Sequence, residues 1–109
     1  MSWSDEKIEG IVRVDRVVAV FQVHPDERIP LYRFDVKILE RSDGSFLGIP
    51  NVAIKNPVTR YPEGTSGLGD TIEEALRDAI RYFFLEVEQN RYDRPLTEDD
   101  FEWSCPEDF

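Results

Sequence analysis

The chain has 109 residues, of which 40% are hydrophobic and 33% charged, and its 23 acidic residues outnumber its 13 basic ones to give a formal net charge of −10. This length suits one domain with its own hydrophobic core, and the composition excludes a disordered chain. Because a phosphate backbone repels such a charge, direct binding to nucleic acid is disfavoured and a basic partner is favoured.

The cellular compartment is predicted from what the sequence lacks. Its single cysteine, Cys105, has no second thiol with which to form an internal disulfide, which is typical of a reducing cytoplasm. The longest purely apolar run covers residues 17–21, far short of the roughly 20 residues that a membrane helix needs. The acidic amino terminus, MSWSDEKIEG, is unlike a signal peptide. We therefore predict a cytoplasmic protein that is not associated with a membrane.

Two strands are predicted in the first part of the chain. Residues 11–23, IVRVDRVVAVFQV, are rich in β-branched residues, which pack well on a pleated sheet. Residues 31–40, LYRFDVKILE, alternate between apolar and charged side chains with the period of two that a half-buried strand has. The apolar side chains of this second strand share one face: Tyr32, Phe34, Val36 and Ile38.

A hairpin is predicted after the second strand. The dipeptide Asp43-Gly44 is typical of a two-residue type I′ turn, whose central positions both require positive φ. Such a turn pairs Ile38 with Ile49. Because directly opposed residues share a face of the sheet, Leu47 and Ile49 are predicted to extend the apolar face that contains Ile38.

Residues 51–69 contain two prolines and three glycines and are predicted to be mostly loop. The regular structure that we expect within them is an extension of the third strand through Val52 and Ile54 and a short edge strand near residues 65–68. The length of this loop is one reason to consider a ligand-binding function, in which the loop forms a lid.

A helix from Thr71 to about Glu88 follows, with Thr71 as its N-cap. Its apolar residues recur at helical spacing and form one stripe, which should cover the apolar face of the sheet. The stripe consists of Ile72, Ala75, Leu76, Ala79, Ile80, Phe83, Phe84 and Val87. Glu74 stands at the third helical position, so Thr71 and Glu74 are predicted to form a capping box.

These elements predict an α+β fold in which one long amphipathic helix packs on one face of a three- to four-stranded, mainly antiparallel sheet. Residues 1–95 form the predicted domain, and residues 96–109 form an acidic, aromatic-containing C-terminal tail with six acids and no base. The tail could be disordered, dock its aromatics on the domain or bind a partner. The same alternatives of docking and partner binding apply to Trp3 and Trp103. The candidate partner-binding residues are Asp99, Asp100, Phe101 and Trp103.

The residues that could carry catalysis do not form a set. The stretch GTSGLGDT lacks both the P-loop lysine and the glycine spacing of a dinucleotide fingerprint. Glu73 and Glu74 point about 100° apart on a helix and cannot act as a facing acid and base. His24, the only histidine, lies in a predicted loop, and Cys105 lies in an acidic stretch that disfavours a thiolate. We predict a protein that is not an enzyme, with no catalytic residue, cofactor or metal.

The order of hairpin, loop and helix over about residues 32–88 resembles the HicB family of antitoxins and their orphan relatives. The segments YRFDVKILE and SDGSFLGIP resemble the family's first strand, glycine-containing turn and second strand. The helix start resembles the family's Gly-Asp-Thr and Glu-Glu-Ala at Gly69, Asp70, Thr71, Glu73, Glu74 and Ala75. The resemblance implies a β-β-β-α arrangement, described as a partial RNase H-like fold, which here has an added N-terminal strand.

The same resemblance implies a protein-binding role. HicB-like domains bind a small basic ribonuclease toxin, and a net charge of −10 suits a basic partner. The family has no catalytic residue to transfer. The acidic tail offers neither a helix-turn-helix nor a ribbon-helix-helix, so repression by direct DNA binding is not implied.

Three alternatives stay open at the level of the sequence. The chain could be a small ligand-binding protein or enzyme that uses residues 51–69 as a lid. It could be an acidic mimic of nucleic acid. It could also form a homodimer through an exposed edge beside the Asp43-Gly44 hairpin.

Overall fold

The structure is a computed structural model that describes residues 8–109, and these form an α+β fold. The strands are β1 (Arg16–Val23), β2 (Phe34–Glu40), β3 (Phe46–Pro50), β4 (Val52–Lys55), β5 (Pro62–Glu63), β6 (Gly67–Gly69) and β7 (Phe101–Trp103). The helix is α1 (Ile72–Gln89), and 3₁₀ turns span Glu98–Asp100 and Pro106–Asp108.

Four strands form the main sheet in the order β1-β2-β3-β6, and all neighbouring pairs are antiparallel. A second, three-stranded sheet has the order β5-β4-β7. The helix α1 packs against one face of the main sheet, which confirms the predicted α+β fold. Both strands of the β2–β3 hairpin are interior, so the predicted free edge beside the hairpin is wrong. The edges of the main sheet are β1 and β6.

The hydrophobic core lies between α1 and the facing side of the main sheet. Its principal side chains are Phe34, Val36 and Ile38 from β2, Ala75, Ala79, Phe83 and Val87 from α1, and Val52, Ile54 and Phe101 from the second sheet. The rings of Phe34 and Phe83 pack against each other at a tilt, with their centroids 4.8 Å apart. The helix stripe therefore covers the core face of β2, because the period of each element places its apolar residues on one side and the two apolar sides pack together.

The hairpin between β2 and β3 differs from the predicted one. The amide of Gly44 donates to the carbonyl of Arg41 (3.0 Å), and Gly44 has a φ of +88°, so the loop has three residues instead of two. The extra residue shifts the register by one, and Ile38 pairs with Gly48. Leu47 and Ile49 consequently lie on the opposite face, so their predicted place on the core face is wrong.

Tyr32 is also wrongly placed by the sequence pattern. The strand β2 begins two residues later, at Phe34, and the side chain of Tyr32 is 82% exposed. The buried residues near this end are Ile29 and Leu31, which the alternating pattern did not identify as core.

Glycines allow α1 to lie unusually close to the sheet. A Cβ on Gly67 would stand 2.1 Å from the backbone nitrogen of Ala79, and a Cβ on Gly48 would stand 2.7 Å from the carbonyl oxygen of Ala75. Gly48 and Gly67 are partners across β3 and β6, so both face the helix. The glycine-rich stretch before the helix is thus a surface for close packing.

Residues 51–69 contain three short strands, β4, β5 and β6, and the rest of the segment is loop. The strand β4 turns away from the main sheet after β3 and pairs with β5 and β7, so Val52 and Ile54 do not extend β3 within its sheet. The short edge strand expected near residues 65–68 is present as β6, which spans Gly67–Gly69.

The helix begins as predicted, with Thr71 as the N-cap. Thr71 Oγ1 accepts a hydrogen bond from the amide of Glu74 (3.1 Å), whereas Glu74 Oε2 accepts one from the amide of Asp70 (2.9 Å). The second half of the predicted capping box is therefore displaced by one residue, from Thr71 to Asp70. From residue 8 onward, no helix is long and apolar enough to cross a membrane.

Candidate functional site

The C-terminal segment, which the sequence sets apart as a tail, is built into the fold. The strand β7 pairs with β4, and the amide of Ser104 continues the pairing by donating to the carbonyl of Asn51 (2.8 Å). Phe101 is 4% exposed and lies against Phe83 with a centroid distance of 6.2 Å. Of the alternatives that the sequence left open, this segment docks on the domain.

The four candidate partner-binding residues separate into two groups. Asp100 is completely buried and Phe101 belongs to the core, so neither can contact a partner in this fold. Asp99 is exposed, and Trp103 keeps 45% of its surface exposed on an edge strand. The prediction of a surface role is thus wrong for these two residues, because Asp100 is bound by Arg60, Arg94 and the amide of Thr97, and Phe101 packs against Phe83 in the core.

Two arginines hold the buried carboxylate of Asp100. Arg94 Nη2 lies 2.8 Å from Asp100 Oδ1, Arg60 Nη1 lies 3.1 Å from the same oxygen, and the amide of Thr97 donates to Oδ2 (2.9 Å). The hydrogen bonds from Arg94 come first among the causes that keep the pKa of Asp100 far below its ordinary value. Arg60 reaches this position from a left-handed backbone with a φ of +63°, which few residues other than glycine adopt.

The same cluster fixes the turn before β7. Lys55 Nζ and Arg60 Nη2 both donate to the backbone oxygen of Asp99, at 3.0 and 2.9 Å. With Asp100 neutralised internally, the exposed charge of the segment is wholly acidic. We call the exposed residues of this region the acidic C-terminal surface: Glu98, Asp99, Glu102, Trp103, Glu107 and Asp108.

The face of the main sheet that points away from α1 is a second surface with apolar character. Lys37 lies on this face, and its ammonium group stands 4.6 Å from the centroid of the Phe109 ring and donates to a backbone oxygen of Phe109 (2.9 Å). The C-terminal segment therefore reaches this face. The strand register places one apolar residue from each strand in a row across it: Val17, Leu39, Leu47 and Leu68.

A pair of carboxyl groups links β5 to the last turns of α1. Glu63 accepts hydrogen bonds from Asn56 Nδ2 and Asn90 Nδ2, both at 2.9 Å. Its hydrogen bond with Glu86, followed by those from the two asparagines, lowers the pKa of Glu63 to about 2. The same bond to Glu63, together with burial, raises the pKa of Glu86. The protonation of one carboxyl group therefore affects that of the other, which makes their link sensitive to pH.

The sequence predicted neither of these two polar clusters. Arg60 and Asp100 are 40 residues apart, and Glu63 and Asn90 are 27 residues apart. No spacing rule connects positions so distant, because only the folded chain brings the turn before β5 next to the segment after α1.

The other singled-out residues lie apart from these clusters. His24 is exposed and packs edge-on against the ring of Tyr32, with a centroid distance of 5.5 Å. Cys105 is exposed. Trp3 lies outside the described residues. Among residues 8–109, no group of three or more His, Cys, Asp or Glu side chains is placed to hold a metal ion.

Comparison of the chain with protein-family models, with curated proteins and with solved structures finds no match. The arrangement of the residues themselves is therefore the basis for a functional proposal.

Proposed function

We propose that the protein is a non-catalytic interaction domain that binds a basic protein through the acidic C-terminal surface. The observation that carries this proposal is the half-exposed side chain of Trp103, which lies on an edge strand in a chain segment whose acids Glu98, Asp99 and Glu102 are also exposed. Tryptophan is enriched among the residues that dominate binding energy at protein interfaces. Surrounding acids favour a partner of opposite charge.

The rigidity of the surface supports the proposal. The pairing of β7 with β4 fixes the backbone of Trp103, and the bonds from Lys55 and Arg60 fix the backbone of Asp99. A backbone segment that is already ordered loses less conformational entropy on binding than a flexible one does. The resemblance to HicB-like antitoxins, which bind small basic ribonuclease toxins, points to the same class of partner.

The test begins with recovery of partners from an extract of the native cell, at low and high salt, on the immobilised protein. Mass spectrometry identifies what is retained, and the purified candidate is then titrated by calorimetry against the wild-type protein and two variants. Trp103→Ala should weaken binding at least tenfold, because removal of such an anchor typically costs about 2 kcal/mol or more. Tyr32→Ala, which removes another highly exposed aromatic ring, should bind as the wild type does.

The salt series tests the electrostatic part of the proposal. A basic partner should bind more weakly as salt rises, because the charges on an exposed surface are screened. Replacing Glu98 and Glu102 with glutamine should reduce this dependence on salt. Recovery of no basic protein at either salt, or equal affinity of Trp103→Ala and wild type, would count decisively against the acidic C-terminal surface.

A further inference from the structure

The strand β1 is the longest edge strand among residues 8–109. It has eight residues and pairs with β2 on one side alone, because the main sheet ends there. Between residues 8 and 109, no backbone outside β2 forms a hydrogen bond with β1. An edge strand of this kind presents a row of amide and carbonyl groups with which another strand can pair.

The other sheet edges offer fewer such groups in the part of the chain that the structure describes. The strand β6 has three residues, and the amide of its Leu68 already donates to Asp78 Oδ2 (2.9 Å). The strand β5 has two residues, of which Pro62 has no amide hydrogen to donate. The strand β7 has three residues. An additional strand therefore gains the most hydrogen bonds at β1.

The side chains of β1 also favour pairing with another strand. On the outer face of the sheet, Val17 and Val20 are each 53% exposed. On the core side, Phe21 and Val23 pack against the core but are not fully buried. The strand contains neither lysine nor proline, the residues that commonly protect a free edge. A paired strand covers apolar side chains on both faces, since directly opposed residues share a face.

The charge of β1 allows a second copy of the chain to supply that strand. Each copy carries a net charge of −10, so two copies repel each other in general. The strand β1 is an exception to this acidity, because it contains no acid and its one charged residue is Arg16. A second copy presents an edge of the same length, with the same unpaired backbone and the same apolar side chains. The chain therefore supplies both halves of the interface.

We propose that β1 pairs with β1 of a second copy in antiparallel orientation and so forms a symmetric dimer. A two-fold axis perpendicular to the sheet makes the two identical strands antiparallel and keeps equivalent faces on the same side. The four-stranded main sheet thereby continues through both copies, with both α1 helices on one side. A bulge near Val18 interrupts the first part of β1, so the regular part, residues 19–23, forms the centre of the pairing.

The dimer is independent of the acidic C-terminal surface, because β1 and β7 belong to different sheets. A chain that binds no basic protein can still form the dimer, and a monomeric chain can still bind a basic protein. The two experiments therefore fail separately.

The test is sedimentation equilibrium of the full chain at micromolar concentrations, where we expect twice the mass of one chain. Val20→Lys places a charge on the edge strand of each copy. It should raise the dissociation constant of the dimer about hundredfold, because a symmetric interface contains the substitution twice and each lysine weakens it about tenfold. The control is Leu68→Lys, which adds the same charge at a residue that is 52% exposed on the opposite edge strand, β6. This variant should remain a dimer.

Hydrogen exchange followed by NMR measures the backbone pairing itself. The amides of residues 19–23 that point away from β2 should exchange more slowly in the wild-type dimer than in the Val20→Lys monomer. Unchanged protection of the α1 amides establishes that the variant keeps its fold. A monomeric wild type, a dimer that Val20→Lys leaves intact, equal weakening by both lysine variants, or unprotected β1 amides in the dimer would each overturn the proposal.

Discussion

Gly67 lies so close to Ala79 that a Cβ on the glycine would stand 2.1 Å from the backbone nitrogen of the alanine. The two residues belong to different elements, the edge strand β6 and the middle of α1. The obstructing atom is backbone, so no side-chain rotation can relieve the contact. The helix must therefore move away from β6 if Gly67 acquires a side chain.

Gly67→Ala should destabilise the protein by at least ~3 kcal/mol, at the upper end of the cost of overpacking, because the clash involves the backbone of α1. Urea denaturation monitored by circular dichroism measures this change in the free energy of unfolding. Gly64→Ala is the control, since a Cβ at Gly64 meets no atom within 4 Å. It should be neutral or slightly stabilising. Similar losses in both variants would show that the close packing of β6 on α1 is not the cause.

Asp100→Asn should destabilise the protein by about 3 kcal/mol, because it breaks an ion pair whose acidic member is fully buried. Arg60 and Arg94 are about half exposed and can regain water, which places the loss at the lower end of the usual range. The control is Asp99→Asn, which changes an exposed neighbour and should alter stability by no more than about 0.5 kcal/mol. Thermal denaturation at neutral pH compares the two, and a smaller loss for Asp100→Asn than for Asp99→Asn would contradict the prediction.

The lowered pKa of Asp100 also predicts how the stability of the protein changes at acidic pH. A carboxyl group whose folded pKa is lowered stabilises the protein above its unfolded pKa, and that stabilisation is lost as the pH falls towards the folded value. The loss should therefore begin as the pH drops below the ordinary value of 3.8. The difference in stability between wild type and Asp100→Asn should shrink over that range, as followed by urea denaturation at successive pH values. A constant difference would contradict the assignment.

Glu86→Gln should remove a pH dependence of the opposite sign. The pKa of Glu86 is raised, so its contribution to stability is full below the ordinary value of 4.5 and is lost as the pH rises through the folded pKa. Glutamine keeps a neutral donor towards Glu63 at every pH. The melting temperature of the variant should therefore rise relative to that of the wild type as the pH increases from 4.5 towards neutrality.

The matched control for this experiment is Glu88→Gln, an exposed position on the same helix. This variant keeps the Glu63–Glu86 pair, so its melting temperature should follow the pH slope of the wild type. If Glu86→Gln also keeps that slope, the raised pKa of Glu86 is not the origin of the slope.

Thr71→Ala should cost about 1 kcal/mol of stability, the usual effect of losing an N-cap side chain. The hydroxyl of Thr71 accepts from the amide of Glu74, which is left without that partner in the variant. Ser66→Ala changes an exposed hydroxyl in the segment before the helix and should have little effect. Urea denaturation of the two variants measures the difference, and equal stabilities would argue against the cap.

The candidate site could be predicted only in part from the sequence. Trp103 and Asp99, which the sequence singles out in an acidic, aromatic segment, are exposed, and their role stays a prediction. Asp100 and Phe101 belong to the same acidic, aromatic segment, yet both are buried. Composition does not reveal which residues of such a segment are buried, because burial depends on contacts with distant residues, such as Arg60 at Asp100 and Phe83 at Phe101.

The sequence by itself determined the elements whose signals are local. The apolar stripe, the N-cap Thr71 and the alternation in β2 each depend on residues a few positions apart, so helix α1 and the core face of β2 follow from periodicity alone. The tertiary structure decided what depends on distant segments. It set the three-residue loop that turns Leu47 and Ile49 to the outer face, and it brought Arg60 to Asp100. The physical reason is that register and buried charge pairs are fixed by packing between segments, which no local pattern encodes.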